Sequence, residues 1–463
     1  MRTTAVHSTP TPGSTRVPRR RARTALAAVL AGMAVAAAGC GSATPPAAKA
    51  SPGAAAFKPV TQDDSSPITI WVDATRVAAV KAYQAAHPSV KINMVTYSGD
   101  AGGANDLQTK VQLFDRTGSG WPDVVWPGIQ DPTWAASGAH PFAAPIGDLI
   151  SKDTLTKYAS GAMSLCTFNG HIYCLRNDLA QNVLWYNKSL MDKFGYTVPT
   201  TWEAWEQLGL RVAKEHPGYL VGEVGSTSAE EIYFYGAQCP MNQVTGDKTV
   251  KVNLQDPHCT KMAGLLDRLL AANALGKVGK FDTGFIKNSA DKILMMPGPA
   301  WYGQVVFASA YHTPAGQVAA APPPNFGDDP TSHTGAVGGG MWMVSSHSKN
   351  LKADLDFVQW VTQDPGFTAS QGTYPAYRPA AAGWLKNQQA SGYFANDIGP
   401  VLTSAADKIW SGWTQSAPFS QESIYGTTIV PAITAGHTIT SRLADWQSAI
   451  ENKAKSLGYT VEH

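Results

Sequence analysis

The chain has 463 residues, 44% apolar and 15% charged, which is too long for one small core and too apolar for a disordered chain, so two domains are expected. Its formal net charge of +2 hides an asymmetry: residues 1–39 hold six arginines and no acid, leaving 30 basic against 34 acidic residues beyond them. No basic stripe survives, which argues against nucleic acid as a partner.

The N-terminus reads as an address. Arg19-Arg20-Arg21-Ala22-Arg23 is a positive segment, and Ala25 to Ala38 is an apolar run of small residues too short to span a bilayer. The run ends in Ala37-Ala38-Gly39-Cys40, small residues before a cysteine that resemble a bacterial lipobox. Residues 1–39 are therefore expected to be a lipoprotein signal peptide, with Cys40 lipidated as the new N-terminus. Ala37 stands where the lipobox prefers Leu, and an ordinary signal with a secreted product is the rival reading. Paired arginines also allow twin-arginine export, although the usual Phe-Leu is missing. Residues 40–67, rich in Ala, Pro and Ser, read as a flexible tether.

Ile68 to Val72 is an apolar, β-rich run and a buried strand. Ala74 to Ala86 has helical spacing and stops at His87-Pro88. Val90 to Tyr97 alternates as a strand, Asn105 to Phe114 is helical, and a third strand opens at Pro122. Strand–helix–strand–helix–strand predicts a parallel sheet covered by helices. Ligands of such sheets bind beyond the carboxyl ends of the strands, which places the Tyr97–Asp100 and Trp126–Asp131 loops at a candidate site. Asn169-Gly170 signals a tight hairpin between Cys166 and Cys174. Asn182 to Tyr186 is a further strand, and Lys188 to Phe194 is a short helix stopped by Gly195. Thr200 to Glu203 reads as a capping box, with Thr200 as N-cap, for a helix reaching Glu215. Helices are expected over 228–236, 257–275, 351–363, 401–410, 420–435 and 441–457, a hairpin near 244–252, and buried strands at Lys292–Pro299 and Gly340–Ser345.

Besides Cys40 there are four cysteines, which outside the cytoplasm suggest two disulfides. Cys166–Cys174 and Cys239–Cys259 are favoured because each closes a short loop. No C-x-x-C spacing and no histidine in a metal-like register supports zinc, so no metal is expected.

Enzyme motifs are missing: no G-x-S-x-G, H-E-x-x-H, phosphate-cradling loop, G-x-G-x-x-G or Ca²⁺ loop occurs. An exported glycosidase stays open, since it needs only two carboxylates. Tryptophan stands out instead, with 14 in the chain, several beside Gly or Pro. Trp126, Trp301 and Trp413 sit in such loops, where an aromatic face suits the polarised C–H face of a sugar ring. Trp342 follows Gly338-Gly339-Gly340 and shares a strand face with Gly340, so it lines the site or lies beneath it. Trp185 and Trp360 read as core, and Trp202 and Trp205 as packing residues.

The blocks "PDVVWPGIQDPTWAASGAHPFAAPIGDLI", "GHIYCLRNDLAQNVLWYNKSLMDKFGYTVPTTWEAW", "KILMMPGPAWYG", "GGGMWMVSSHSKNLKADLDFVQWVT" and "AYRPAAAGWL" occur in this order. Together they resemble the extracellular solute-binding proteins, family 1, of carbohydrate ABC transporters, of the maltose-binding type. The second block is the most specific; it departs from the family in carrying Arg176 where proline is frequent and in adding the cysteine pair. The resemblance implies an α/β, periplasmic-binding-protein-like fold: two α/β lobes joined by a three-crossing hinge, with a ligand cleft between them. It assigns 68–178 and 341–395 to lobe 1, and 179–340 and 396–463 to lobe 2. The crossings would be Arg176–Val183, Gly340–Ser345 and a segment near Gly392–Gly399. By position it implies ligand contacts from Trp126 and Asp131 in the first lobe, Asn177 and Asp178 at the first crossing, Gly340, Trp301 and Trp413; Asp100, from the strand-end loop, and Trp342, from its strand face, join them as candidates. Trp301 follows the family's Gly-Pro with one extra residue, Ala300. The implied protein is an exported, lipid-anchored monomer on the outer face of the cell membrane. It would capture a sugar or oligosaccharide for ABC permease subunits, without catalysis and without cofactor. A glycerophosphodiester or other small polar solute is the alternative ligand, for which Arg176 or Arg378 would face the phosphate.

Overall fold

In the computed structural model, the described residues are 57–97, 105–128, 133–136, 140–159, 161–241, 243–246, 249–329, 333–412 and 421–463. The expectations for the signal peptide, Cys40, Asp100, Asp131 and Trp413 lie outside them.

Strand Ile68–Val72 forms as its β-branched run dictates, with Ile68, Ile70 and Val72 fully buried. It pairs in parallel with Ile92–Thr96 and Val124–Val125. Met341–Val344 adds antiparallel to Val124–Val125, and Cys174–Arg176 adds antiparallel to that strand, completing a five-stranded sheet. Its residues alternate between two cores, as pleating requires. Val124 and Trp342 join Val80, Tyr83 and Phe357 on one face, while Val125, Met341 and Met343 join Leu107 and Val111 on the other. The helices supplying those faces are Val77–Ala86, Asn105–Thr117 and Leu351–Gln363.

A second sheet is centred on Asn182–Asn187, flanked antiparallel by Met295–Pro299 and Val318–Ala321. Around it lie helices Lys188–Phe194, Trp202–Glu215, Pro257–Ala271, Gln421–Thr434 and Leu443–Ser456. Gly195 ends the first of these in the left-handed region at φ 67°, as its place in the sequence requires. Trp185, Trp202 and Trp205 are packed inside this half. The two sheets are the two α/β lobes of the expected fold.

The backbone passes between the sheets three times. Arg176–Asn182 leaves the first sheet for the second, and Thr334–Gly340 returns beside it, with Asn177 N donating to Gly340 O (2.9 Å), Val337 N to Ala180 O (2.9 Å) and Asn182 N to Gly335 O (2.9 Å). The third passage follows helix Arg378–Ala390, where Ala395 N donates to Val318 O at 2.7 Å before helix Gly399–Ala406.

Both expected disulfides are present, Cys166–Cys174 and Cys239–Cys259. Asn169 and Gly170 both have positive φ (49° and 80°), the type I′ geometry that a two-residue hairpin loop demands. Five details differ from the sequence reading. The second passage is Thr334–Gly340 rather than Gly340–Ser345, because Met341–Val344 is already held in the first sheet between Val124–Val125 and Cys174–Arg176. The N-cap is Thr201 rather than Thr200: Thr201 is extended and its hydroxyl accepts from Ala204 N at 3.1 Å, while Glu203 turns outward to Lys261 and Gly327 N. Part of the expected tether is built into the fold, because Gln62 bonds Ser348 O and Leu351 N, and Asn350 bonds the carbonyls of Asp64 and Ser66. Helix Tyr302–Ala310, of π type, follows Trp301 where only a turn was expected, and Val318–Ala321 is an unforeseen strand. No helix among the described residues is long and apolar enough to cross a membrane.

Candidate ligand cleft

The loops at the carboxyl ends of two neighbouring strands build the first wall. After Ile68–Val72, Asp73 accepts from Thr75 N (2.8 Å) and caps the turn that carries Arg76. After Val124–Val125 comes Trp126, 2% exposed. The Arg76 guanidinium lies over the Trp126 ring, 4.0 Å from its centroid, and its Nη2 stands 3.7 Å from Asp178 Oδ1. Asp178 Oδ1 also accepts from Gly340 N (3.1 Å) and Asn177 Nδ2 (2.9 Å). Gly340 is where Trp126 needs room, since a Cβ there would fall 2.0 Å from Trp126 Cη2. Trp342 lies beneath, fully buried, with its ring 4.9 Å from that of Trp126 and its Nε1 donating to Asn177 Oδ1 at 3.0 Å. Five residues singled out in the sequence, Trp126, Asn177, Asp178, Gly340 and Trp342, thus form one packed group.

Arg176 sits behind this group. It is 2% exposed and its Nη2 approaches Gly338 O at 3.5 Å, while Nε and Nη1 have no partner. Burial draws its pKa down to about 10 against the pull of Asp178, so it remains a cation at neutral pH. Gly338 and Gly339 pass over it with φ 93° and 85°, and a Cβ at Gly339 would meet Arg176 Nη2 at 2.5 Å. Only glycines fit there without strain.

The second lobe supplies the facing groups. Glu231 is buried, and desolvation with the nearby Glu422 pushes its carboxyl well above the usual range, while Lys280 and Arg176 pull it back. Tyr235 donates to Trp410 O at 2.7 Å. Trp301 is partly exposed and fixed by its Nε1 bond to Val337 O (2.9 Å) in the second passage. Lys280 is 4% exposed and reaches Ser226 Oγ (3.1 Å), Ser228 Oγ (3.2 Å) and Glu223 Oε1 (3.9 Å).

Arg378 lies apart from these groups. Its side chain is half exposed, 3.8 Å from Asp407, on a separate cavity of about 160 Å³ lined also by Tyr374, Leu385 and Ala406. Sequence reasoning missed Arg76, Lys280 and Glu231. For Arg76 the signal existed, a cation just past the first strand; Lys280 and Glu231 gave none. Arg176 Nε and Nη1, Trp126 Nε1 and Glu231 Oε2 are buried without partners, and buried polar atoms are rarely left so. The junction therefore offers unpartnered polar atoms and an aromatic face, a combination that suits a polar solute.

No curated protein sequence matches the chain significantly. Solved structures do match its fold. The ABC transporter associated binding protein from B. animalis subsp. lactis, in complex with beta-1,6-galactobiose, is 21% identical with a TM-score of 0.69, the match covering 86% of this chain and 99% of that one. The galacto-N-biose/lacto-N-biose I-binding protein of Bifidobacterium longum, in complex with lacto-N-biose, is 20% identical with a TM-score of 0.70, over 87% and 100% of the two chains. A substrate-binding protein of Listeria monocytogenes in complex with cycloalternan is 17% identical with a TM-score of 0.64, over 86% and 100%. Residues 69–366 match the model of the bacterial extracellular solute-binding proteins, and this chain belongs to that family.

Proposed function

We propose that this protein is the lipid-anchored, sugar-binding component of a carbohydrate ABC importer, holding a sugar or oligosaccharide between its lobes and delivering it to membrane permease subunits. The observation that carries this reading is the set of unpartnered atoms at the lobe junction, Arg176 Nε and Nη1, Trp126 Nε1 and Glu231 Oε2, beside the partly exposed face of Trp301. A sugar hydroxyl both donates and accepts, so one class of ligand group serves all of these atoms, and a pyranose C–H face suits the tryptophan. Similar folds solved with galactobiose, lacto-N-biose and cycloalternan support it. Capture and release need no bond to be broken, and the reading assigns no catalytic residue.

The test is a thermal-shift screen of mono- and oligosaccharides against the mature protein. A ligand that binds only the folded state raises the melting temperature by mass action. At least one saccharide should do so. A second reading, a glycerophosphodiester receptor, draws on the two arginines Arg76 and Arg176 at one site; a shift with glycerophosphodiesters and with no saccharide would establish it instead. Anchoring is tested by Cys40→Ala, which should release the protein into the medium; unchanged membrane retention would refute lipidation.

A further inference from the structure

Phe281 is an exposed aromatic residue, at 49% of its surface. The backbone on either side of it is held. Lys280 before it is buried, with Nζ on Ser226 and Ser228 and its carbonyl accepting from Tyr311 OH at 3.2 Å. Asp282 after it caps helix Thr283–Ser289 by accepting from Phe285 N at 2.9 Å. The ring is thus presented to solvent by anchored neighbours rather than by a loose loop. It lies nearly parallel to Trp301, with 10° between the planes and 6.4 Å between centroids. The Lys280 ammonium stands 5.4 Å from the Phe281 ring centre and 5.7 Å from that of Trp301, so one fixed side chain braces both. Two aromatic rings of common orientation thus lie next to each other, with the Lys280 ammonium against both.

We propose that Phe281 is a second stacking residue, continuous with Trp301, which makes the solute an oligosaccharide of at least two rings rather than a monosaccharide. This rests on the sugar reading above. The first ring is held at the lobe junction against Trp301; the next, across one glycosidic bond, lies over Phe281. An exposed face of this size left in water gains by being covered, and a stacked ring adds the directional preference of a C–H face for an aromatic one.

The experiment is calorimetric titration of wild-type protein, Phe281→Ala and Phe281→Tyr with a series of α- and β-linked gluco- and galactosaccharides of one to four units. Wild-type protein should bind members of two or more units at least about tenfold tighter than the corresponding monosaccharide. Phe281→Ala should weaken those members about tenfold and leave monosaccharide binding unchanged, while Phe281→Tyr keeps wild-type affinity. Because the side chain is exposed, the melting temperature of unliganded Phe281→Ala should equal that of wild type. Wild-type affinity in Phe281→Ala, including the case where only transport is lost because the ring meets the permease, overturns the proposal and leaves the sugar reading standing. Equal losses for one and several units also overturn it. Failure of the wild-type protein to bind any saccharide overturns both.

Discussion

Gly340→Ala is the sharpest probe of the candidate cleft. The added Cβ would lie 2.0 Å from Cη2 and 2.1 Å from Cζ2 of Trp126. Carbon atoms rest at about 3.5–4.0 Å, so the indole must retreat by roughly 1.5 Å or more. It has little room: Arg76 lies 4.0 Å over its ring, Trp342 is 4.9 Å away, and the residue is 2% exposed. Overpacking of this kind costs about 1–3 kcal/mol, a fall of about 1–4 °C in melting temperature for a fold of this size. Displacing Trp126 also carries Arg76 away from Asp178, so ligand affinity should fall at least about tenfold. The assay is thermal melting and calorimetric titration of Gly340→Ala, Trp126→Leu and the double variant. Leucine lacks the two clashing atoms, so Gly340→Ala should cost nothing in the Trp126→Leu background, a coupling that a double-mutant cycle reads directly. Wild-type melting and affinity in Gly340→Ala, or equal costs in both backgrounds, would refute the argument.

The disulfides Cys166–Cys174 and Cys239–Cys259 span 8 and 20 residues; the chain-entropy estimate gives about 2.5 and about 3.3 kcal/mol, to be read from urea unfolding of the paired Cys→Ser variants. Stability unchanged on reduction would contradict both values. Arg176→Met replaces a buried guanidinium whose Nε and Nη1 have no partner by an apolar chain of similar length and leaves Arg76 facing Asp178, so the unliganded protein should be as stable as wild type or more stable by about 1–3 kcal/mol; a lowered denaturant midpoint would refute this. Burial and the neighbouring Glu231 and Glu422 hold Glu230 protonated well above its ordinary range of 4.5. A folded-state value raised above the unfolded one gives stability that is present below the unfolded pKa and lost as pH climbs toward the folded value. The unliganded protein should therefore lose stability as pH rises above the ordinary carboxylate range, and Glu230→Gln should flatten that loss; parallel pH curves for the two proteins would exclude Glu230 as its source.

Elements whose cause is local were legible in the sequence. Ile68–Val72 forms where five β-favouring residues run together, Lys188–Phe194 stops at a glycine in the left-handed region, and Asn169-Gly170 closes its hairpin. Val318–Ala321 was not, because Val-Ala-Ala-Ala has little strand preference of its own and is extended through pairing with Asn182–Asn187. Helix Arg378–Ala390 was seen only as part of a family block, though a proline in its first turn marks its start. The cleft divides the same way. Its glycines and tryptophans stand out in the sequence, but the placing of Arg76 on Trp126 joins two loops some fifty residues apart, and Lys280 is held by serines equally distant in the chain. No local pattern announces such contacts. They also change the character of Trp126, which a loop position suggested as an open platform and which the structure seats between Arg76 and Gly340.

The first hinge passage concentrates polarity where a packed protein would place apolar groups. Arg176, Asp178, Gln181 and Asn182 are all nearly or fully buried within seven residues. Part of this set is satisfied: Asp178 by Gly340 N and Asn177, Gln181 Nε2 by Leu402 O, Asn182 Nδ2 by Glu231 O. Part is not: Arg176 Nε and Nη1, Gln181 Oε1 and Asn182 Oδ1 lack partners. Each unsatisfied buried group costs about 1–3 kcal/mol, so the unliganded junction is held at a free energy above what its packing alone would give. The neighbouring elements keep it there. The Cys166–Cys174 bond fixes the strand ending in Arg176, and two left-handed glycines let the returning passage close over the guanidinium. A solute that supplied the missing partners would recover that free energy only with both lobes in contact around it, because the unpartnered groups come from both: Arg176 and Trp126 on one side, Glu231 on the other. Affinity and closure would then be one event, with the hinge residues as its energetic source and the aromatic rings as its means of telling one solute from another.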